Sequence, residues 1–137
     1  MVEEKEFKLW YFPAKIPEEN LRWNPDKILF ANLAFTKSND VPAFTTVKAR
    51  LPLEARLGDL TFLFVTDYNQ NRSPESPIKD LGGPGGSYGW IFFVKKSLGR
   101  VRVLDPEQTI EDNGIIEDST VILRRKNTPE AIEYEED

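Results

Sequence analysis

The chain has 137 residues, no Cys and no His, 39% hydrophobic and 12% aromatic residues, and a formal net charge of −5. That length supports one domain with a real core, while the missing residue types exclude disulfides, thiol nucleophiles, Cys or His zinc sites, Ser-His-Asp triads and imidazole acid/base chemistry. The acidity sits at the ends: residues 127–137 carry five acidic and no basic side chains, whereas residues 27–126 carry fourteen basic and twelve acidic.

The opening MVEEKEFKLW has no basic stretch leading into an apolar one, and no apolar run approaches membrane-spanning length, so a soluble protein of the cytoplasm or nucleus is expected. KEFKLWYF, residues 5–12, is β-prone and stopped by Pro13, and Pro17 and Pro25 punctuate the next dozen residues; residues 1–26 read as an N-terminal extension rather than a helix. KILFANLAF, residues 27–35, reads as a strand, KSNDVP as its turn, and FTTVKARLPL, residues 44–53, as a second strand. Alternation there puts Phe44, Thr46, Lys48 and Arg50 on one face and Thr45, Val47, Ala49 and Leu51 on the other.

Between Glu54 and Gln70 the spacing changes to that of a helix. Leu57, Leu60, Phe64 and Tyr68 recur at three and four, Phe62, Leu63 and Val65 widen the stripe, and Gly58 and Asp59 fall in the first turn, where an acid faces the positive helix end. Residues 71–89, rich in Pro and Gly, read as a long loop; WIFFVKK, GRVRVLD and STVILRRK read as three further strands. Residues 127–137 read as an acidic, disordered tail.

The order β-β-α-β-β-turn-β resembles the ubiquitin-like β-grasp, a mixed sheet packed on one helix, here an α+β fold with an N-terminal extension and a domain over residues 27–126. The motif carrying the resemblance is TIEDNGIIEDSTVILRRK. Thr109, Ile110, Asp112 and Ile115 match the family's connection, Asp118, Ser119 and Thr120 its turn, and Val121, Ile122, Leu123, Arg124 and Arg125 its closing strand. Ile110 and Ile115 would pin the connection to the open end of the core, Gly114 would supply a positive φ, and Val121 and Leu123 would face the helix. Modifiers of that family end in Gly-Gly just after the last strand; this chain continues to Asp137, so a non-conjugating member is expected.

The resemblance implies a non-catalytic protein-interaction module, the N-terminal domain of a larger scaffold or adaptor, cytoskeletal in type, docking another protein on the exposed sheet face. The strand pattern turns Ile91 and Phe93 inward and leaves Phe92 and Ile122 outward beside Lys95, Arg124 and Lys48. Against this, the aromatics of the extension, Leu9, Trp10, Tyr11 or Trp23, need somewhere to be buried and would cover that face. Ras-binding domains of the same architecture suggest an alternative, a small GTPase docking on Lys48 and Arg50 of the second strand, although such edge cations also discourage aggregation. Self-association through the edge strand or the extension stays open.

Other chemistry finds little support. GGPGGSYG lacks the G-K-[ST] ending of a phosphate loop and leads into a strand, which favours a flexible linker. Arg100, Arg102, Arg124, Arg125 and Lys126 lack an accompanying aromatic motif, so nucleic acid is an unlikely partner. Asp105, Glu107 and Asp112 are the available acid/base carboxylates, but they fall in turns, and no calcium-loop spacing is present. No cofactor and no metal are expected.

Overall fold

A computed structural model describes residues 10–12, 15–36, 44–72 and 88–127. The strands are β1 (Ile28–Phe35), β2 (Thr45–Pro52), β3 (Tyr88–Lys95), β4 (Val101–Val103) and β5 (Thr120–Asn127), with one helix, α1 (Leu57–Asp67), between β2 and β3. They form a mixed sheet in the order β2-β1-β5-β3-β4, parallel between β1 and β5 and antiparallel elsewhere. This is the α+β arrangement expected, a β-grasp-like sheet over a single helix. The KSNDVP turn, the glycine-rich loop up to residue 87 and the tail beyond Asn127 lie outside the described residues.

Alternation explains the first hairpin. Leu33 pairs with Val47 and Ala31 with Ala49, and their side chains join the core, while Thr46, Lys48 and Arg50 are exposed on the opposite face. Leu57, Val65 and Tyr68 of the helical segment are buried against this sheet, and Phe64 and Tyr68 both set their rings edge-on to Phe35 while tilting against each other. A π-helical turn over Tyr68–Arg72 prolongs the helix.

β3 turns the other way from the expectation. Phe92 lies opposite Leu123 and Val94 opposite Val121, and since Leu123 and Val121 face the helix, Phe92 does too. It is 0% exposed; Ile91 and Phe93 take the outer face. Five consecutive large apolar residues, Trp90 to Val94, carry no period of two, so pattern alone does not choose their side.

The inward parity also brings Trp90 into the core, and Trp90 holds the N-terminal segment. Trp10 and Trp90 exchange two backbone hydrogen bonds (2.8 and 2.7 Å), and Phe12 stacks on the Trp90 ring at 5.2 Å while meeting Phe62 edge-on at 5.3 Å. Phe12 is therefore buried and Trp10 half-buried on the helix side of the sheet, while Tyr11 and Trp23 are half-buried. Trp10 lies flat against the first turn of α1, where a methyl group on Gly58 would come 2.7 Å from Cζ2 and 2.8 Å from Cδ2 of the indole. Glycine is required there by the neighbouring ring, not by helix chemistry.

The connection from β4 to β5 closes the end of the core. Ile110 and Ile115 are buried in it, and Gly114 adopts φ +70°, as the motif implies. Its centre is a residue outside the motif's pattern: buried Asn113. Asn113 Oδ1 accepts the Asp105 N–H (2.8 Å), and Nδ2 donates to the carbonyls of Asp105 (2.8 Å), Thr109 (3.0 Å) and Gln108 (3.3 Å). One amide thus satisfies backbone groups that a turn-rich segment cannot pair by itself.

Both contacts can be tested by stability. Gly58→Ala gains at most ~1 kcal/mol of helix propensity but overpacks the indole at a cost of about 1–3 kcal/mol, so denaturant unfolding should show a net loss. Adding Trp10→Ala should restore part of it, a coupling that a double-mutant cycle reads directly. Asn113→Ala should cost roughly 2–3 kcal/mol in the same assay, because it strands buried backbone partners.

Candidate functional site

The sheet face away from α1 is built from the alternate positions of four strands. Phe30, Asn32 and Ala34 come from β1, Thr46, Lys48 and Arg50 from β2, Thr120, Ile122 and Arg124 from β5, and Ile91, Phe93 and Lys95 from β3. Ile91 and Phe93 are shielded from solvent, at 3% and 6% exposure, so this face is not open along its whole width. Its accessible apolar part lies over β1, β2 and β5. There a groove of about 270 Å³ is lined by Asn32, Ala34, Phe44, Thr46, Lys95, Thr120 and Ile122.

Two exposed phenylalanines lie on this face, Phe44 in the groove and Phe30 farther along β1. Phe44, just ahead of β2, is 52% exposed, and Phe30 is 41% exposed. Cations stand around them: Lys48, Arg50, Lys95 and Arg124 are all exposed. Lys48 makes a 3.7 Å ion pair with Asp118, both largely in solvent, which holds it only weakly, and Arg50 donates to the Pro25 carbonyl (3.2 Å). The turn ahead of β5 is itself fixed on β1, since the Phe30 N–H donates to Glu117 Oε1 (3.0 Å) and the Asp118 N–H to the Phe30 carbonyl (2.8 Å).

Of the residues expected at a partner site, Ile122 and Lys95 line the groove and Arg124, Lys48 and Arg50 share its face, whereas Phe92 is withdrawn into the core. Phe30 and Phe44 were missed. The signal for Phe44 was present, because alternation through Thr46 already placed it with Lys48 and Arg50. The cations of the nucleic-acid reading do not share a surface: Arg102 donates to the Asn113 carbonyl (2.7 Å), and Arg125 points to the helix side, hydrogen-bonded to Thr36 and 5.1 Å over the Trp90 ring.

Asp105, Glu107 and Asp112 are not among the residues that line this groove. Asp105 Oδ1 accepts the Glu107 N–H (3.0 Å) within its turn, and Glu107 and Asp112 are exposed. Among the described residues no group of three or more His, Cys, Asp or Glu is placed to hold a metal ion, and no helix is long and apolar enough to cross a membrane.

Asp59 is the carboxylate with a displaced pKa. It is buried at the first turn of α1, and burial pushes its pKa above 3.8, against the Arg56 charge and a hydrogen bond with Asn20, which both pull it down. Its Oδ2 has no hydrogen-bond partner among the described residues. It belongs to the N-terminal packing, not to the groove.

Fold and face together define a small α+β domain with a groove lined in part by apolar residues on a face that carries exposed cations. The chain matches the family model of the type VI secretion system protein TssN over residues 2–126, and it belongs to that family. No curated protein matches it. The family overturns the wider expectations drawn from the ubiquitin-like resemblance: this is a component of a bacterial secretion apparatus, not a ubiquitin-like domain of a scaffold or cytoskeletal adaptor, and not a Ras-binding domain. The cytoplasmic or nuclear setting is replaced by that machine. Another protein as partner does stand, because components of this system work with other proteins of the secretion complex.

The Asp59 displacement predicts a pH dependence. A carboxyl raised above its unfolded value adds stability that is fully present below pH 3.8 and is lost as pH rises through the folded value. Asp59→Asn should therefore melt higher than the parent chain at neutral pH, with the difference shrinking toward acid; thermal melts across about pH 3 to 7 give the comparison.

Proposed function

We propose that this chain is a non-enzymatic assembly module of the type VI secretion apparatus, docking another subunit through the groove at Phe44 and Ile122. The observation that supports this reading is the exposure of Phe44 in a groove lined by Lys95, on a sheet face that also carries exposed Phe30, Lys48, Arg50 and Arg124. Large aromatics gain most from removal from water, whereas rim charges set orientation and encounter rate. The complementary partner surface is an apolar knob bordered by carboxylates. A non-enzymatic role accords with a sequence without His or Cys and with turn carboxylates engaged in local backbone contacts.

Binding of the purified chain to each of the other subunits of its secretion machine, measured pairwise by calorimetry, tests the assignment. Phe44→Asp should weaken the productive pair by about tenfold or more, ~1.4 kcal/mol, with an unchanged melting curve. Lys95→Glu should slow association and flatten its salt dependence. Equal affinities for the parent chain and both variants would overturn the groove as the docking site.

A further inference from the structure

The opposite side of β2 carries a separate feature. In β1, the Phe30 carbonyl accepts the Asp118 N–H and the Asn32 N–H donates to the Ser119 carbonyl, both at 2.8 Å and both toward the β5 side. Even-numbered residues of β1 therefore bond away from β2, and the pairs Ala31 with Ala49 and Leu33 with Val47 are the hydrogen-bonded ones. It follows that Thr46, Lys48 and Arg50 direct their N–H and C=O groups outward from the sheet. Among the described residues β2 pairs with β1 alone, so this eight-residue strand presents an open edge.

Beside that edge, between β2 and α1, runs a groove of about 290 Å³ whose walls include Ala49, Leu51, Leu60, Leu63 and Phe64, bordered by Asp67 and by Lys48 and Arg50, whose positions alternate to the opposite face. Ala49, Leu60, Leu63 and Phe64 are half-buried, as is Val47 next to them, so apolar surface is still open to water along the edge. An open strand edge with an apolar trough on one side and cations on the other has one natural occupant. We infer that the β2 edge takes up an extended segment of another protein as an added strand, with apolar side chains toward α1 and acidic ones toward Lys48 and Arg50.

The side-chain alternation of a strand fixes this assignment. Residues of the incoming strand that turn to the helix side meet Ala49, Leu60 and Phe64, which favour apolar side chains. Residues turning to the other face lie against Lys48 and Arg50, where a carboxylate is favoured. A second copy of this chain pairing through the same edge would set Lys48 and Arg50 against themselves, so the cations select against self-pairing and for an acidic partner. This site is distinct from the docking groove at Phe44 and uses the backbone rather than an aromatic knob.

The test uses the intact chain and an array of overlapping peptides of about twelve residues from the other secretion subunits, long enough to span β2 at roughly 3.4 Å per residue. Peptides that bind, measured by fluorescence anisotropy, should alternate apolar with acidic residues. Lys48→Pro removes an outward N–H without touching the β1 ladder and should weaken them about tenfold or more, Lys48→Ala less, and Phe44→Asp not at all. Hydrogen exchange on the unmodified chain gives a second reading, since a bound peptide should slow the amides of Thr46, Lys48 and Arg50. No bound peptide, binding indifferent to Lys48→Pro, or unprotected amides at these three residues would overturn the inference; binding lost with Phe44→Asp instead would assign the peptide to the other groove.

Discussion

The register between β3 and β5 governs the arrangement of this molecule. With Phe92 opposite Leu123 and Val94 opposite Val121, the aromatic run of β3 sends Trp90 and Phe92 to the helix side. A slip of one residue would reverse every side chain and place Ile91 and Phe93 there instead. Much else depends on this choice. Trp90 in the core gives Phe12 a ring to stack on and Trp10 a backbone to bridge, Trp10 in turn lies on the first turn of α1, and Gly58 is the residue that admits it. The stretch Trp10–Phe12 is thus an extra piece of the core's wall, joined through one indole.

The two long sides of the sheet are treated differently. Along β3, β4 covers the stretch from Phe93 to Lys95, the Leu104 N–H donates to Phe92, and Trp10 takes the hydrogen bonds of Trp90. That side is closed by two separate pieces of chain, residues 101–104 and the segment at Trp10. The β2 side has no such cover among the described residues and relies on the cations of Lys48 and Arg50. Charge keeps an edge from pairing with copies of itself while leaving it open to a strand of opposite sign. A sheet with one closed and one charged edge can pair with a strand of opposite charge without polymerising.

Much of the fold was legible because most elements obey one period. β1 and β2 alternate, Leu57, Leu60, Phe64 and Tyr68 follow the helix, and Ile110, Gly114 and Ile115 mark a closing connection by apolar spacing and a required positive φ. The face of β3 was not legible, since a run that is apolar at every position satisfies both registers and only its tertiary neighbours decide between them. The destination of Trp10 and Phe12 was hidden for a related reason: burial of an aromatic is predictable from its size, but not which of two apolar faces accepts it. Asn113 could not be read at all, because its role lies in four contacts with backbone groups that sequence does not distinguish.

Geometry also accounts for a correct fold pattern leading to the wrong family. A sheet that places β5 beside β1 in parallel must bring the chain from β4 across the open end of the core and turn it sharply into the central strand. Apolar anchors at Ile110 and Ile115, a glycine at φ +70° and an Asp-Ser-Thr turn with Asp118 at φ +64° meet that geometric demand in any lineage. The motif therefore reports a topology. Membership was decided instead by the match to TssN across residues 2–126. The features that distinguish this domain within its topology lie outside the motif: the indole on Gly58, the exposed pair Phe30 and Phe44, and an open β2 edge with cations on one side and an apolar trough on the other.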